Sequence, residues 1–294
     1  MRIEKVNLNQ TNKDSKAFME VYVQEESESL YVKKRPLILL FPGGGYEHLS
    51  DREGFPVALT LCSWGYNVAV IHYSLSPVVY PAQYLESFEA LKNLIDNSDA
   101  YNIDKERISV MGFSAGGHAA AMLATGCNDP LILATFNVRT SFFKISNMIL
   151  SYPVITSGEY AHRGSFDALL GDKKDDGETL KALSIENRVT KDTPKAFIWS
   201  TFEDVTVPCE NALLLSKALR KENVPFELHI FEKGCHGLSL ANELTMTSTK
   251  ECINKECEEW TTLLRNWLNV NFPVVSEKKP FVKSKLLRTL LSLK

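Results

Sequence analysis

No stretch of the 294 residues is long and apolar enough to cross a bilayer as a helix. The first residues, MRIEKVNLNQ, alternate polar and apolar side chains and lack the apolar core of a secretory signal, so a cytoplasmic protein is expected. The phosphate-cradling patterns G-x-x-x-x-G-K-[ST] and G-x-G-x-x-G opening a helix are both missing, which speaks against a nucleotide cofactor. A net charge of −3 gives no global attraction to nucleic acid or anionic lipid. Cysteine is scarce and scattered, at Cys62, Cys127, Cys209, Cys235, Cys252 and Cys257. Cys252 and Cys257 stand five apart on a predicted helix at 249–270 with no second ligand pair nearby, so free thiols are expected rather than a metal site. There is no internal repeat and no low-complexity tract.

What is present is an alternation of strand-like and helix-like segments, with 44% hydrophobic residues to build a core. Residues 3–8 and 17–23 alternate like leading strands. Residues 36–42, 67–73, 107–111, 146–151, 195–201 and 226–231 are short apolar runs, the mark of strands covered on both faces. Helical spacing appears at 53–64, 82–97, 115–125 and 209–222, and at 249–270 with Ile253, Cys257, Trp260, Leu264 and Trp267 as its apolar stripe. The fold class expected is therefore α/β, a mostly parallel central sheet with helices on both faces. Residues 1–273 make a single domain in this reading. Residues 154–194 contain no convincing strand and form an insertion over the site. Residues 274–294 form a basic tail in which Lys278, Lys279, Lys283, Lys285, Arg288 and Lys294 surround five leucines, a pattern suited to docking on the domain, weak membrane-surface contact or a partner subunit.

The chemistry begins at Gly112-Phe113-Ser114-Ala115-Gly116, which fits G-x-S-x-G. An apolar strand precedes it and a small-residue helix follows. In that setting the serine sits on a tight turn that lifts its hydroxyl into the open, and the glycines make room for the turn. Acyl transfer also needs backbone N–H groups aimed at the carbonyl oxygen. Ala115, directly after the nucleophile, is one expected donor. Pro42-Gly43-Gly44-Gly45-Tyr46 follows a buried strand and supplies the others, with Gly44 and Gly45 preferred. Of six histidines, His236 stands in a loop directly after the last strand, where parallel sheets gather active residues. His72 lies in or at the end of a buried strand, His229 on the polar face of an alternating one, His118 is expected to pack in the helix after Ser114, His162 lies in the insertion, and His48 follows the glycine loop. Asp204 and Glu203 both follow the preceding strand. Asp204 is preferred because Val-Thr-Val-Pro after it leads into the next helix. A serine hydroxyl is a poor nucleophile at neutral pH, so His236 is expected as base and Asp204 as the group that orients it.

The set PGGGY, SDREGFPVA, GFSAGG, YPV at 152–154, HRGSFDALLG, D-x-x-V-P at 204–208 and GCHG resembles a bacterial α/β-hydrolase family. Its members are acetyl esterases or acetylxylan-esterase-like enzymes, near the hormone-sensitive-lipase and feruloyl-esterase branches. The resemblance spans about residues 15–270. It implies the α/β-hydrolase fold, Ser114, Asp204 and His236 as the triad, and short acyl esters of sugars or small alcohols as substrates, with no cofactor. Tyr46, His48, Phe113 and Tyr152 are expected around the substrate pocket. Pro42 replaces the histidine of the lipase branch, so the bonds holding the glycine loop must differ. Ser50, Arg52 and Glu53 form a polar cluster in which Glu53 is expected to start the following helix and Arg52 to close a salt bridge over the loop. Aryl formamidase, peptidase-type hydrolase and non-catalytic binding protein are the alternatives, and a homo-oligomer is compatible with the sequence.

Overall fold

The computed structural model describes residues 1–249 and 251–275. The strands are β1 (Arg2–Asn7), β2 (Phe18–Val23), β3 (Arg35–Phe41), β4 (Asn67–His72), β5 (Ile103–Phe113), β6 (Asn147–Ser151), β7 (Lys195–Thr201) and β8 (Phe226–Phe231). They form one sheet in the order β1-β2-β4-β3-β5-β6-β7-β8. The pairs β1–β2 and β2–β4 are antiparallel, and every pair from β4–β3 to β7–β8 is parallel. The helices are α1 (Phe55–Ser63), α2 (Ala82–Asp96), α3 (Ser114–Thr125), α4 (Pro130–Thr135), α5 (Arg163–Leu170), α6 (Gly177–Leu183), α7 (Glu210–Lys221), α8 (Lys255–Glu258) and α9 (Trp260–Asn271).

Alternation along each strand sends successive side chains to opposite faces. Leu37, Leu39, Val110, Leu150 and Ile198 join the core under α2, α3 and α7. Ile38, Leu40, Met111, Ile149 and Trp199 join a second core under α1 and α9. Both faces are covered, which is why β3, β4, β6 and β7 read as unbroken apolar runs. In the second core, Trp199 and Trp260 stack at 5.1 Å, a contact worth about 0.5–1.5 kcal/mol beyond the area buried.

The sheet matches the expected strands closely, and the helices differ in three places, one of them α4, a short helix that no expected segment covers. The helix expected from residue 249 starts only at Lys255, because Cys252 adopts φ 66° and the Asn254 side chain caps the turn by accepting the Cys257 N–H. Ile253 is consequently exposed and outside the apolar stripe, and Cys252 lies before the helix instead of on it. The 154–194 segment holds two short helices, α5 and α6. Buried Asn211 on α7 fastens its start by accepting the N–H groups of Ile155 and Thr156 at 2.9 and 3.1 Å. The amphipathic stretch from Lys278 to Lys294 lies outside the described residues. Among the described residues, no helix is long and apolar enough to cross a membrane.

Candidate active site

Four polar features leave the carboxyl ends of neighbouring parallel strands, the edge where such sheets place their chemistry. Ser114 ends β5 and starts α3 with φ 52°, a left-handed conformation held by the surrounding turn. That turn tolerates almost no side chain. A Cβ on Gly116 would lie 2.2 Å from the Phe41 carbonyl oxygen, and one on Gly112 would lie 2.2 Å from that of Gly116. The glycine loop follows β3, Asp204 follows β7, and His236 follows β8.

The last two converge on the serine. His236 Nε2 is 2.8 Å from Ser114 Oγ, and His236 Nδ1 is 2.6 Å from Asp204 Oδ2. A carboxylate can only accept, so Nδ1 carries the proton and the Nε2 lone pair faces the hydroxyl. Asp204 Oδ1 accepts the N–H groups of Thr206 and Val207 at 3.0 and 2.9 Å, which leaves Oδ2 for the imidazole. The Asp204 side chain is 1% exposed and that of His236 19%. Glu203 points elsewhere and accepts the Gly234 N–H at 3.2 Å.

Across from the histidine, the glycine loop runs against Ser114. A Cβ on Gly43 would stand 2.9 Å from Ser114 Cβ. The Gly43 N–H is donated to Glu53 Oε2 at 2.8 Å, and the Tyr73 hydroxyl donates to the Pro42 carbonyl at 2.6 Å. These two bonds hold a loop that has proline where the lipase branch has histidine. Gly44 and Gly45 then turn through φ 127° and 66°. Among the described residues, the N–H groups of Gly44, Gly45, Tyr46 and Ala115 find no protein acceptor. The Ala115 N–H lies in the first turn of α3, where the helix adds partial positive charge. The arrangement suits transfer of an acyl group to an alcohol oxygen, with amide donors beside it for a developing oxyanion.

A cleft of about 370 Å³ opens over Ser114 and His236, and His48 is among the residues that line it. Three other residues expected there do not. Tyr46 is buried with φ 63°, which turns it inward. Its hydroxyl donates to His118 Nδ1 at 2.7 Å, while His118 Nε2 donates to the Leu183 carbonyl at 2.8 Å. Burial lowers the His118 pKa to about 4, in keeping with this neutral tautomer. Phe113 precedes the serine on β5, so alternation sends it to the opposite face, between Tyr152 and Trp260. Tyr152 is 1% exposed and lies beneath His236, with ring centroids 5.0 Å apart.

The polar cluster also differs from expectation. Glu53 is 3% exposed and binds Gly43 and Tyr152 ahead of α1. Among the described residues, Arg52 forms no salt bridge over the loop. Its guanidinium instead donates to the carbonyls of Gly237 and Thr245, at 2.9 and 2.5 Å.

His162 is a cleft residue that the sequence reading left in the insertion. Its Nδ1 accepts the Ser165 N–H at 3.3 Å and caps α5. Burial, then the nearby His236, depress its pKa below the ordinary histidine value. Histidine is an unusual cap, so the only sequence signal was its place three residues before Ser165, at the start of an apolar helical pattern.

A family model, BD-FAE, matches residues 19–219. The chain is 38% identical over 218 residues to endo-1,4-beta-xylanase B of Butyrivibrio fibrisolvens, covering 71% of this chain and 33% of that one. It is 30% identical over 201 residues to the acetylxylan esterase of Xylanibacter ruminicola, covering 67% and 39%. The chain thus spans well under half the length of these curated relatives. Among solved structures, the acetyl ester-xyloside bifunctional hydrolase of Caldicellulosiruptor lactoaceticus superposes with a TM-score of 0.79 at 35% identity, covering 92% of this chain and 97% of that one. The carboxylesterase Cest-2923 of Lactobacillus plantarum gives 0.82 at 25% identity, covering 94% and 100%. With a match over more than half its residues and a sheet of this order, the chain belongs to the BD-FAE family and has the α/β-hydrolase fold.

Proposed function

We propose that the protein is a serine carboxylic ester hydrolase acting on short acyl esters, acetyl above all, of sugars or small alcohols. The observation that carries this reading is the unbroken line Ser114–His236–Asp204 beside unpaired loop amides. In the first half-reaction, Ser114 Oγ attacks the ester carbonyl while His236 Nε2 takes its proton. The carbonyl oxygen becomes an oxyanion held by the N–H groups of Gly44, Gly45 and Ala115. Asp204 stabilises the imidazolium formed. The intermediate collapses as His236 returns the proton to the departing alkoxide, leaving acyl-Ser114. Water repeats the sequence, with His236 again as base, and releases the carboxylic acid. The esterase and acetyl-ester names of the relatives support the substrate class. All six cysteines are free thiols, which suits the reducing cytoplasm included in this reading.

The walls of the cleft bear on acyl-chain length. Among the described residues they carry Glu47, His48, Ser50, Thr206 and His162, with no aliphatic or aromatic hydrocarbon side chain. A buried methylene gains about 0.8 kcal/mol only where it meets an apolar wall. Polar walls suit a hydroxyl-rich alcohol and give a longer acyl chain nothing to bury against. In a panel of acetyl, butyryl, hexanoyl and octanoyl esters of one alcohol, kcat/KM is expected to be highest for acetyl and to fall with length. A rise from acetyl to octanoyl would contradict the short-acyl assignment. Formyl and peptidyl amides in the same panel test the formamidase and peptidase alternatives, and turnover is expected to be far slower than with acetyl esters.

A further inference from the structure

The short turn Asp51–Glu53 lies between the two loops that complete the site. From it, Glu53 reaches the glycine loop through the Gly43 N–H, 2.8 Å from Oε2. Its other oxygen, Oε1, accepts the Tyr152 hydroxyl at 2.6 Å. Tyr152 Oη in turn accepts the Ser239 N–H at 2.9 Å, three residues beyond His236. Ser239 Oγ closes the circuit by donating to the Arg52 carbonyl at 2.6 Å, beside Glu53. The Tyr152 ring packs edge-to-face under the His236 imidazole. Burial and the Glu53 charge hold the Tyr152 pKa well above its usual value, so the hydroxyl remains a donor.

Resting on the serine-esterase reading, we infer that Glu53 and Tyr152 are a pair of positioning residues that lock the oxyanion loop to the histidine loop. Two physical points carry this. Burying a carboxylate is costly unless donors satisfy it, and both donors of Glu53 belong to the machinery of the site. The Gly43 N–H, once held, fixes where the Gly44 and Gly45 amides point, and transition-state stabilisation depends steeply on such placement. Neither residue touches the reacting atoms in this reading. Glu53 sets the amide side, Tyr152 sets the imidazole side, and the bond between them makes the two settings interdependent.

The test is a double-mutant cycle with Glu53→Gln and Tyr152→Phe on acetyl ester hydrolysis, with rates counted per site titrated by a fluorophosphonate. In Glu53→Gln the amide oxygen can still accept from Gly43, but the Tyr152 hydroxyl loses its carboxylate acceptor. Tyr152→Phe removes the hydroxyl and so breaks the links to both Glu53 and Ser239. Each single change is expected to lower kcat by about 10- to 100-fold with KM within about threefold, the pattern of an interaction felt only in the transition state. The double variant is expected to match the worse single one, because both cut the same circuit. Losses that multiply overturn the coupling, and a raised KM with intact kcat overturns the positioning role in favour of substrate binding. If Glu53→Gln does not fold, the kcat and KM of Tyr152→Phe decide alone by the same criteria. Ser114-dependent activity indifferent to both changes overturns this inference only. Activity that survives Ser114→Ala overturns the serine reading and this inference with it.

Discussion

Ser114→Ala is expected to lower ester turnover by about six orders of magnitude while leaving folding and melting temperature nearly unchanged. The magnitude follows from how the triad acts. His236 and Asp204 have no proton to move once the hydroxyl is gone, so losing the nucleophile costs about as much as losing all three. The fold is expected to survive because, among the described residues, the hydroxyl's hydrogen bond runs to His236, whose side chain is 19% exposed. Alanine meets the same φ of 52° as serine does, so the turn is no more strained than before. Steady-state rates with an acetyl ester, together with a thermal melt, check this. Near-wild-type turnover in a folded Ser114→Ala protein would exclude the mechanism.

Asp204→Asn is expected to lower kcat by about 10⁴ at neutral pH. Here the hydrogen bonds dictate the outcome. Oδ1 accepts two backbone N–H groups, so the carbonyl of an asparagine must take that position. Its NH₂ then faces His236 Nδ1 and donates to it. That forces the imidazole proton onto Nε2, where it blocks removal of the Ser114 proton. Glu203→Gln is the matched control. Glu203 accepts the Gly234 N–H from an exposed site, and a glutamine oxygen can do the same. Its effect is expected to stay within about twofold, as for a surface substitution. If Glu203→Gln is crippled and Asp204→Asn is not, the acids exchange roles.

Much of the sheet was legible because its physics is local. β3, β4, β6 and β7 are covered on both faces, and a doubly covered strand has to be a short apolar run. The strand–serine–helix turn was equally legible, since close backbone approach at Gly112 and Gly116 leaves no alternative residue. The 154–194 segment was not. α6 is mostly exposed and has only Leu183 fully buried, so no apolar stripe announces it. Contacts from distant elements hold the segment instead, such as Asn211 on Ile155 and Thr156, and Leu169 on Tyr80. The same long-range contacts place His162 in the cleft, with little local pattern to announce it.

Proximity along the chain misled at Tyr46, Phe113 and Tyr152. Each adjoins a loop or strand end of the site, yet a positive φ or strand alternation turns its side chain into the protein. Glu53 carried the reverse lesson. Beside a helix start its charge reads as a dipole partner, and its bond to Gly43 depends on a loop ten residues back.

Everything in the proposed chemistry requires that His236 make Ser114 nucleophilic at the mouth of an open cleft. The most direct test is to react the native protein with a fluorophosphonate and map the adduct by peptide mass spectrometry. One adduct per chain on Ser114, with ester cleavage lost in step, is the expected result. Full modification at another residue, or an active esterase that takes no label at Ser114, would contradict it.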